Sequence, residues 1–228
     1  MSKRFKGGDL CAYCSKRPAS TADHIFARKF FLESARANLP QAPSCEPCNN
    51  EKSKLENYVM TVVPFGGQHA DALETLAALV PGRLSGNRKL HRQLAAGHTG
   101  KNIPFDGAKL EQLFTFIARG LLWFHWKVYL RDNTHSIRCF VVTPTGTQFF
   151  NEQLFSKNSR EHVNVVLGID TIRYEGKQAV DDPALSIWRF SVYGGLVLSE
   201  NAESGAVETR IIVITGPKAA MNVPEKQS

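Results

Sequence analysis

Four cysteines near the start of the chain have the spacing of metal ligands. Cys11 and Cys14 form one C-x-x-C pair, and Cys45 and Cys48 form a second pair. Zn²⁺ binds four thiolates tetrahedrally, and such a site is closed, with no position for a substrate. The two pairs therefore predict one structural zinc, which joins the two ends of the segment between them.

Inside that segment, a carboxylate and an imidazole are adjacent. Asp23 and His24 lie in the run Thr21-Ala-Asp-His-Ile-Phe, which has the pattern of a short strand. Consecutive residues of a strand point to opposite faces, so both side chains reach one cleft only where the backbone bends. One side chain would then bind a metal ion while the other addresses a water molecule. An Asp-His pair on its own indicates little.

The second cysteine pair continues directly into Asn49-Asn-Glu-Lys-Ser-Lys. This order predicts an amide side chain on the first turn of a helix, where the positive end of the helix dipole favours phosphate. By default an Asn at that place is only a helix cap. By default Lys52 and Lys54 are solvent-exposed. The case for chemistry depends on the combination of the motifs rather than on any one of them.

That combination resembles the HNH endonucleases, also called ββα-metal or His-Me finger endonucleases. The matching runs are C-A-Y-C, T-A-D-H-I-F-A and N-L-P-Q-A-P-S-C-E-P-C-N-N-E-K, between Cys11 and Lys52. The zinc-bearing branch of the family has a similar C-x-x-C, D-H, N and C-x-x-C-N series. After His24 the sequence reads Ile-Phe-Ala-Arg, where many members have a proline.

The resemblance implies a role for each matching residue. His24 would be the general base that deprotonates the attacking water, and Asp23 and Asn49 would hold one catalytic divalent cation. Asn38 would support the loop and His24 through backbone hydrogen bonds. Two oxygen ligands and several waters suit Mg²⁺ or Mn²⁺. A histidine with an ordinary pKa near 6.5 is largely neutral, and therefore basic, at physiological pH.

The charge of the chain is compatible with a polyanionic partner. The formal net charge is +7, and lysine and arginine side chains attract phosphates and release their counterions. The stretch 83–101 is basic and contains no acidic residue, which fits either a solvated linker or a contact with the DNA backbone. The residues predicted to contact nucleic acid are Arg28, Lys29, Lys52, Lys54, Arg88, Lys89 and Arg92.

Hydrophobic periodicity predicts the elements that hold these residues. We expect helices over 48–63, 70–80, 106–130 and 148–155, and strands over 137–142, 163–167, 186–192, 195–198 and 207–215. Pro81-Gly82 is predicted to end the second of these helices, and Asp106 to cap the third. The predicted class is α+β: an N-terminal zinc-stapled ββα-metal (HNH) module, then helices, then a mixed α+β domain with a mainly antiparallel sheet. The predicted divisions are 1–66 for the nuclease domain, 67–103 for a helix and basic connector, 104–217 for an α+β domain of unknown function, and 218–228 for a flexible tail.

Two interpretations of function stay open. The leading one is a metal-dependent HNH endonuclease that hydrolyses DNA phosphodiesters, as the effector of a restriction or anti-phage system. The alternative is a non-catalytic zinc-binding module for nucleic acid, followed by a sensor or partner-binding domain. The sequence does not distinguish DNA from RNA, and protein partners are either a second copy of the chain or a partner protein of a defence system. We expect a cytoplasmic protein without a membrane contact, because no apolar run approaches the roughly 20 residues of a membrane span and no secretory signal is apparent.

Overall fold

A computed structural model of the chain describes residues 8–67, 69–97, 103–142, 144–152, 158–198 and 207–221. The N-terminal elements are β1 (Thr21–His24), β2 (Gln41–Ser44) and α1 (Glu46–Val62), with short 3₁₀ helices at Arg28–Phe30, Glu33–Ala35 and Val63–Gly66. The helices that follow are α2 (Ala70–Ala78), α3 (Val80–Gly86), α4 (Arg88–Ala96) and α5 (Gly107–Trp126). The C-terminal elements are β3 (His135–Val142), α6 (Pro144–Phe150), β4 (Glu161–Leu167), β5 (Ile172–Gln178), β6 (Ser186–Val192), β7 (Leu196–Leu198), β8 (Val207–Pro217) and α7 (Lys218–Met221).

The N-terminal elements follow one another in the order strand, strand, helix. β1 pairs with β2 in an antiparallel register that sets Asp23 opposite Ala42 and His24 opposite Gln41. β2 leads directly into Cys45, which caps α1 in an extended conformation, and a proline occupies the first turn of the helix. Proline fits there because its missing N–H would have no partner within the helix anyway. The helix predicted over 48–63 is confirmed, although it begins at Glu46.

The C-terminal sheet is antiparallel throughout. Its strand order is β3-β8-β6-β5-β4, and β7 pairs with the end of β8. Strand β5 was not predicted, because charged residues alternate along it and a glycine interrupts it. Gly176 is required there: a Cβ at this position would lie 2.4 Å from the ring of Trp188 on the neighbouring strand.

One hydrophobic core joins the N-terminal elements to the sheet. Helix α5 contacts α1 and β2, and it also contacts β3 and β8. Phe26, which follows β1, stacks on Tyr174 of β5 at a centroid distance of 5.6 Å. Phe114 of α5 meets Phe190 of β6 edge-on at 5.0 Å, and these rings belong to one buried cluster. The predicted boundaries near residues 66 and 104 therefore divide the sequence, while the core is continuous across them.

Three predicted segments differ from the structure. The connector 67–103 contains helices α2, α3 and α4 within its described part, and Pro81 stands in the first turn of α3 instead of ending the helix before it. The tail predicted as flexible begins with α7, where Met221 is buried, while residues 222–228 lie outside the described part. The helix predicted over 148–155 is α6, which begins earlier, at Pro144; residues 153–155 also lie outside the described part.

The longest helix has the predicted start and an earlier end. The Asp106 side chain accepts a hydrogen bond from the Lys109 backbone N–H, so it caps α5 as expected. The helix ends at Trp126, because Lys127 adopts a left-handed conformation. Among the described helices, none combines the length and the apolar character needed to cross a membrane.

Candidate active site

The four predicted zinc ligands lie together. The Sγ atoms of Cys11, Cys14, Cys45 and Cys48 are all within 4.8 Å of one another. The pair Cys14 and Cys45 has an Sγ–Sγ distance of 3.9 Å. Four ligands placed tetrahedrally about 2.3 Å from a zinc ion would be separated by about 3.8 Å. The predicted four-cysteine cluster is confirmed, and its dimensions fit one zinc ion.

Backbone hydrogen bonds shape the loop that carries the first cysteine pair. The Ser15 N–H donates to the Cys11 carbonyl at 2.8 Å, and Ser15 has a φ of 54°, so the chain turns tightly. The Ala12 N–H donates to the Pro43 carbonyl at 2.8 Å, which docks this loop on β2. The loop therefore presents its two sulfurs to the start of α1.

The protein environment disfavours isolated thiolates at Cys11 and Cys48, whereas at Cys45 burial is outweighed by hydrogen bonds, chiefly from Cys48, which lower its pKa to about 7. Burial raises the pKa of the Cys11 thiol, and burial together with the neighbouring sulfurs raises the pKa of Cys48 well above its usual range. A cation among the four sulfurs reverses this balance, because metal binding deprotonates its thiol ligands. The donor set and its burial therefore fit a structural zinc.

The carboxylate of Asp23 is held by two partners. The Tyr13 hydroxyl donates to Asp23 Oδ2 at 2.6 Å, and the Lys52 Nζ lies 2.9 Å from the same oxygen. The Asp23 side chain is only 14% exposed. The group predicted as a metal ligand is therefore fixed in orientation by residues of the cysteine loop and of α1.

Lys52 is the centre of this polar cluster. Its side chain is 1% exposed, and its Nζ also donates to the His24 carbonyl at 2.8 Å and pairs with the Glu56 carboxylate. The default interpretation of Lys52 as a solvent-exposed side chain is therefore wrong, and its burial argues against the predicted contact with phosphate. Lys52 follows Cys48 by one helical turn, so it shares the inward face of α1 with Cys48 and Leu55.

The same cluster contains a second carboxylate. Burial raises the pKa of Glu56, and the nearby ammonium of Lys52 lowers it in part. When all three groups are charged, Asp23, Glu56 and Lys52 carry one net negative charge. A buried ion cluster of this kind is costly to break, because removing one partner leaves the others desolvated without compensation.

His24 is half-buried beside this cluster, and one of its ring nitrogens is held across the hairpin. Its Nε2 lies 3.2 Å from the side-chain amide nitrogen of Gln41, the residue opposite it on β2. Burial lowers the pKa of His24, and the charges of Arg28 and Lys52 lower it further, while Asp23 acts in the opposite direction. The imidazole is therefore neutral at neutral pH, as a general base requires.

The two asparagines occupy different settings. Asn49 is half-buried in the first turn of α1, and the cap of this helix is Cys45, so the default interpretation of Asn49 as the cap does not apply. Asn38 is exposed before β2 and has a φ of 55°, a left-handed conformation that asparagine tolerates. The contact through which Asn38 would orient His24 stays a prediction.

The other predicted nucleic-acid contacts are at the surface. On α4, Leu90 and Leu94 pack against Val62, which turns the basic residues of this helix outward. The exposed residues of the predicted set are Arg28, Lys29, Lys54, Arg88, Lys89 and Arg92. Their contact with nucleic acid stays a prediction.

Three residues around the candidate site were not foreseen from the sequence. Glu56 had a signal, because it follows Lys52 by four residues on a helix, the spacing of an ion pair. Tyr13 lies inside the first C-x-x-C pair, and Gln41 faces His24 only through the strand register. Neither position has a local pattern that predicts its partner.

Comparisons with protein-family models, with curated proteins and with solved structures give no match to this chain. The resemblance to HNH endonucleases therefore depends on the motifs and on the geometry described above.

Proposed function

We propose that the protein is a metal-dependent endonuclease of the HNH type that hydrolyses DNA phosphodiester bonds. The order β1-β2-α1 is the main support. Asp23 and His24 stand on the strand that pairs with β2, and β2 leads into the helix that carries Cys48 and Asn49. A zinc ion in the four-cysteine cluster would hold these elements together without taking part in the reaction.

In this proposal His24 takes a proton from the attacking water. Its neutral state suits that role, because a general base needs a pKa near the working pH or below it. The structure places the Gln41 amide nitrogen toward Nε2; with the amide turned over, its oxygen would accept the Nε2 proton and leave Nδ1 as the basic nitrogen. Gln41 is therefore a positioning residue for His24.

The proposed cation ligands are Asp23 and Asn49. Tyr13 and Lys52 both contact Asp23 Oδ2, so Oδ1 is the oxygen assigned to the cation. A bound Mg²⁺ or Mn²⁺ would supply charge stabilisation at the scissile phosphate. The ammonium of Lys52 reduces the negative charge near this position, so we expect modest cation affinity and a strongly fixed carboxylate.

One observation favours a second function, a zinc-bound module that binds nucleic acid without cutting it. Tyr13 and Lys52 already satisfy Asp23 as a buried structural carboxylate, with no need for a catalytic cation. Under this alternative, exposed residues such as Arg28, Lys29 and Lys54 carry the binding.

Incubation with supercoiled plasmid separates the two functions. The endonuclease proposal expects nicking when Mg²⁺ or Mn²⁺ is added and none without an added divalent cation, whereas the alternative expects a gel shift without nicking under both conditions. RNA in a parallel reaction identifies the substrate class. A role as the effector of a restriction or anti-phage system rests on the family resemblance and is a further hypothesis.

A further inference from the structure

The C-terminal sheet has a polar outer face, defined here as the face opposite to the one that packs on α5. Side chains alternate along β5: Ile172 and Tyr174 are buried in the core, while Arg173 and Glu175 point to the other side. Helix α6 covers part of this face, since Phe150 packs on Ile187 and Ile212. Over the rest of this face, the described part of the chain leaves a cavity.

The strand register gathers several polar side chains on the open part. Arg173 stands opposite Ser191, and Glu175 stands between Asn164 of β4 and Arg189 of β6. These residues surround a cavity of about 420 Å³. The residues lining the cavity are Asn164, Asp170, Arg173, Glu175, Arg189, Ser191, Gly194 and Arg210.

Three guanidinium groups and two carboxylates line this cavity, so its lining carries one net positive charge. Arg173 pairs with Asp170 at 3.1 Å, and Arg189 pairs with Glu175 and also donates to the side-chain oxygen of Asn151. These pairs restrain the guanidinium groups. A guanidinium has five N–H donors in a rigid fork, so one carboxylate does not saturate it. Arg173 binds Asp170 through Nε and one Nη, so it keeps further N–H donors for an anionic ligand.

We infer that this outer-face cavity binds a phosphate ester. Guanidinium groups bind phosphate oxygens in a bidentate manner, and the Ser191 hydroxyl and the Asn164 amide offer neutral donors beside them. The volume of the cavity falls within the range of pockets for small ligands, about 300 to 1,000 Å³. The phosphate belongs either to a free nucleotide or to a nucleic-acid backbone.

This second site is distinct from the candidate active site. The segment after β1 packs through Phe26 on Tyr174, which belongs to the inner face of the sheet. The sheet therefore lies between the cavity and the hairpin that carries His24. A ligand at the cavity acts as a second contact for a long nucleic acid or as a signal sensed by the sheet.

Binding measurements on the full chain test the inference, with His24→Ala as the background and without added Mg²⁺ or Mn²⁺, so that no cleavage occurs and the structural zinc is kept. Calorimetry with ADP and with a short DNA duplex supplies the two probes. We expect the double substitution Arg173→Gln and Arg210→Gln to weaken the binding of one probe by about tenfold or more. Arg131→Gln, an exposed arginine outside the cavity, is the matched control and should bind as the background does.

The two probes distinguish the sources of phosphate. A loss confined to ADP identifies a free nucleotide. Weaker binding of the duplex, with the slope of log affinity against log salt reduced by up to about two, identifies a nucleic-acid backbone. Unchanged binding of both probes overturns the inference.

A second variant protects the test against a folding defect in the double substitution. Ser191→Asp keeps every arginine and adds a negative charge to the cavity, so it should weaken the same probe. Plasmid nicking by the wild-type chain is measured separately. If the wild-type chain does not nick plasmid, the nuclease proposal fails, but the binding results for this cavity still stand.

Discussion

The ammonium of Lys52 lies 2.9 Å from Oδ2 of Asp23 in the interior of the protein, and it joins helix α1 to strand β1. The same ammonium binds the carbonyl oxygen of His24. The buried Lys52 thus holds the side chain of Asp23 and the backbone of His24, the two adjacent residues of the candidate active site.

We predict that Lys52→Met destabilises the protein strongly. Removing the ammonium leaves the Asp23 and Glu56 carboxylates buried without a cation, so the free energy of unfolding should fall by about 3 kcal/mol. Lys54→Met is the matched control, because Lys54 is exposed on the same helix; its effect should stay within about 0.5 kcal/mol. Urea denaturation followed by circular dichroism measures both. Equal stability of the two variants would contradict the structural role of Lys52.

We predict one tightly bound zinc per chain and a loss of the N-terminal fold when it is removed. The metal supplies folding free energy that a cysteine-rich loop region cannot obtain from its own packing. Elemental analysis of the purified protein measures the content. Cys45→Ser should lower it, whereas Cys139→Ser, which changes a cysteine of β3 outside the cluster, should not. Full zinc content in Cys45→Ser would argue against the four-thiolate site.

We predict that Asp23→Asn weakens Mg²⁺ or Mn²⁺ binding more than Asn49→Ala does. The substitution removes the only proposed anionic ligand but keeps an acceptor for the Tyr13 hydroxyl. Cation affinity should fall at least about tenfold, as it does when groups that support a metal ligand are removed. Calorimetry on the zinc-loaded protein measures both. Intact cation binding in Asp23→Asn would assign this residue to the structural cluster alone.

We predict that the basic face of α4 contributes affinity for nucleic acid and not catalysis. Changing Arg88, Lys89 and Arg92 to Gln removes up to three phosphate contacts, so the slope of log affinity against log salt should fall by up to about three. A duplex-binding series over several salt concentrations measures this slope. The cleavage rate at saturating protein should not change. An unchanged slope would indicate an ordinary solvated helix face.

The sequence predicts those features whose cause lies close along the chain. The two C-x-x-C pairs predict the cysteine cluster, because metal ligation dictates both residue type and spacing. The helix after Cys48 follows from apolar spacing. Asp106 caps α5 as expected, because an Asp ahead of an apolar run is a local signal.

Features that depend on distant partners could not be predicted. An isolated lysine is normally placed at the surface, and the burial of Lys52 is explained only by Asp23, Glu56 and the His24 carbonyl. Strand β5 also depends on a distant partner. Its alternating residues have a side that faces the core only because Trp188 of β6 packs against Gly176. Pro81 shows a different ambiguity, since a proline both ends helices and begins them.

Metal-dependent nicking of plasmid by His24→Ala tests the central claim most directly. The substitution removes the proposed base but keeps the His24 carbonyl that accepts from Lys52, so the fold should persist. We predict that nicking in Mg²⁺ or Mn²⁺ falls by roughly 10² to 10⁴ while zinc content and DNA binding are retained. His135→Ala, a histidine of β3 outside both sites, should nick at the wild-type rate. The account would be contradicted if His24→Ala nicked plasmid as fast as the wild-type protein does, or if the wild-type protein did not nick plasmid at all.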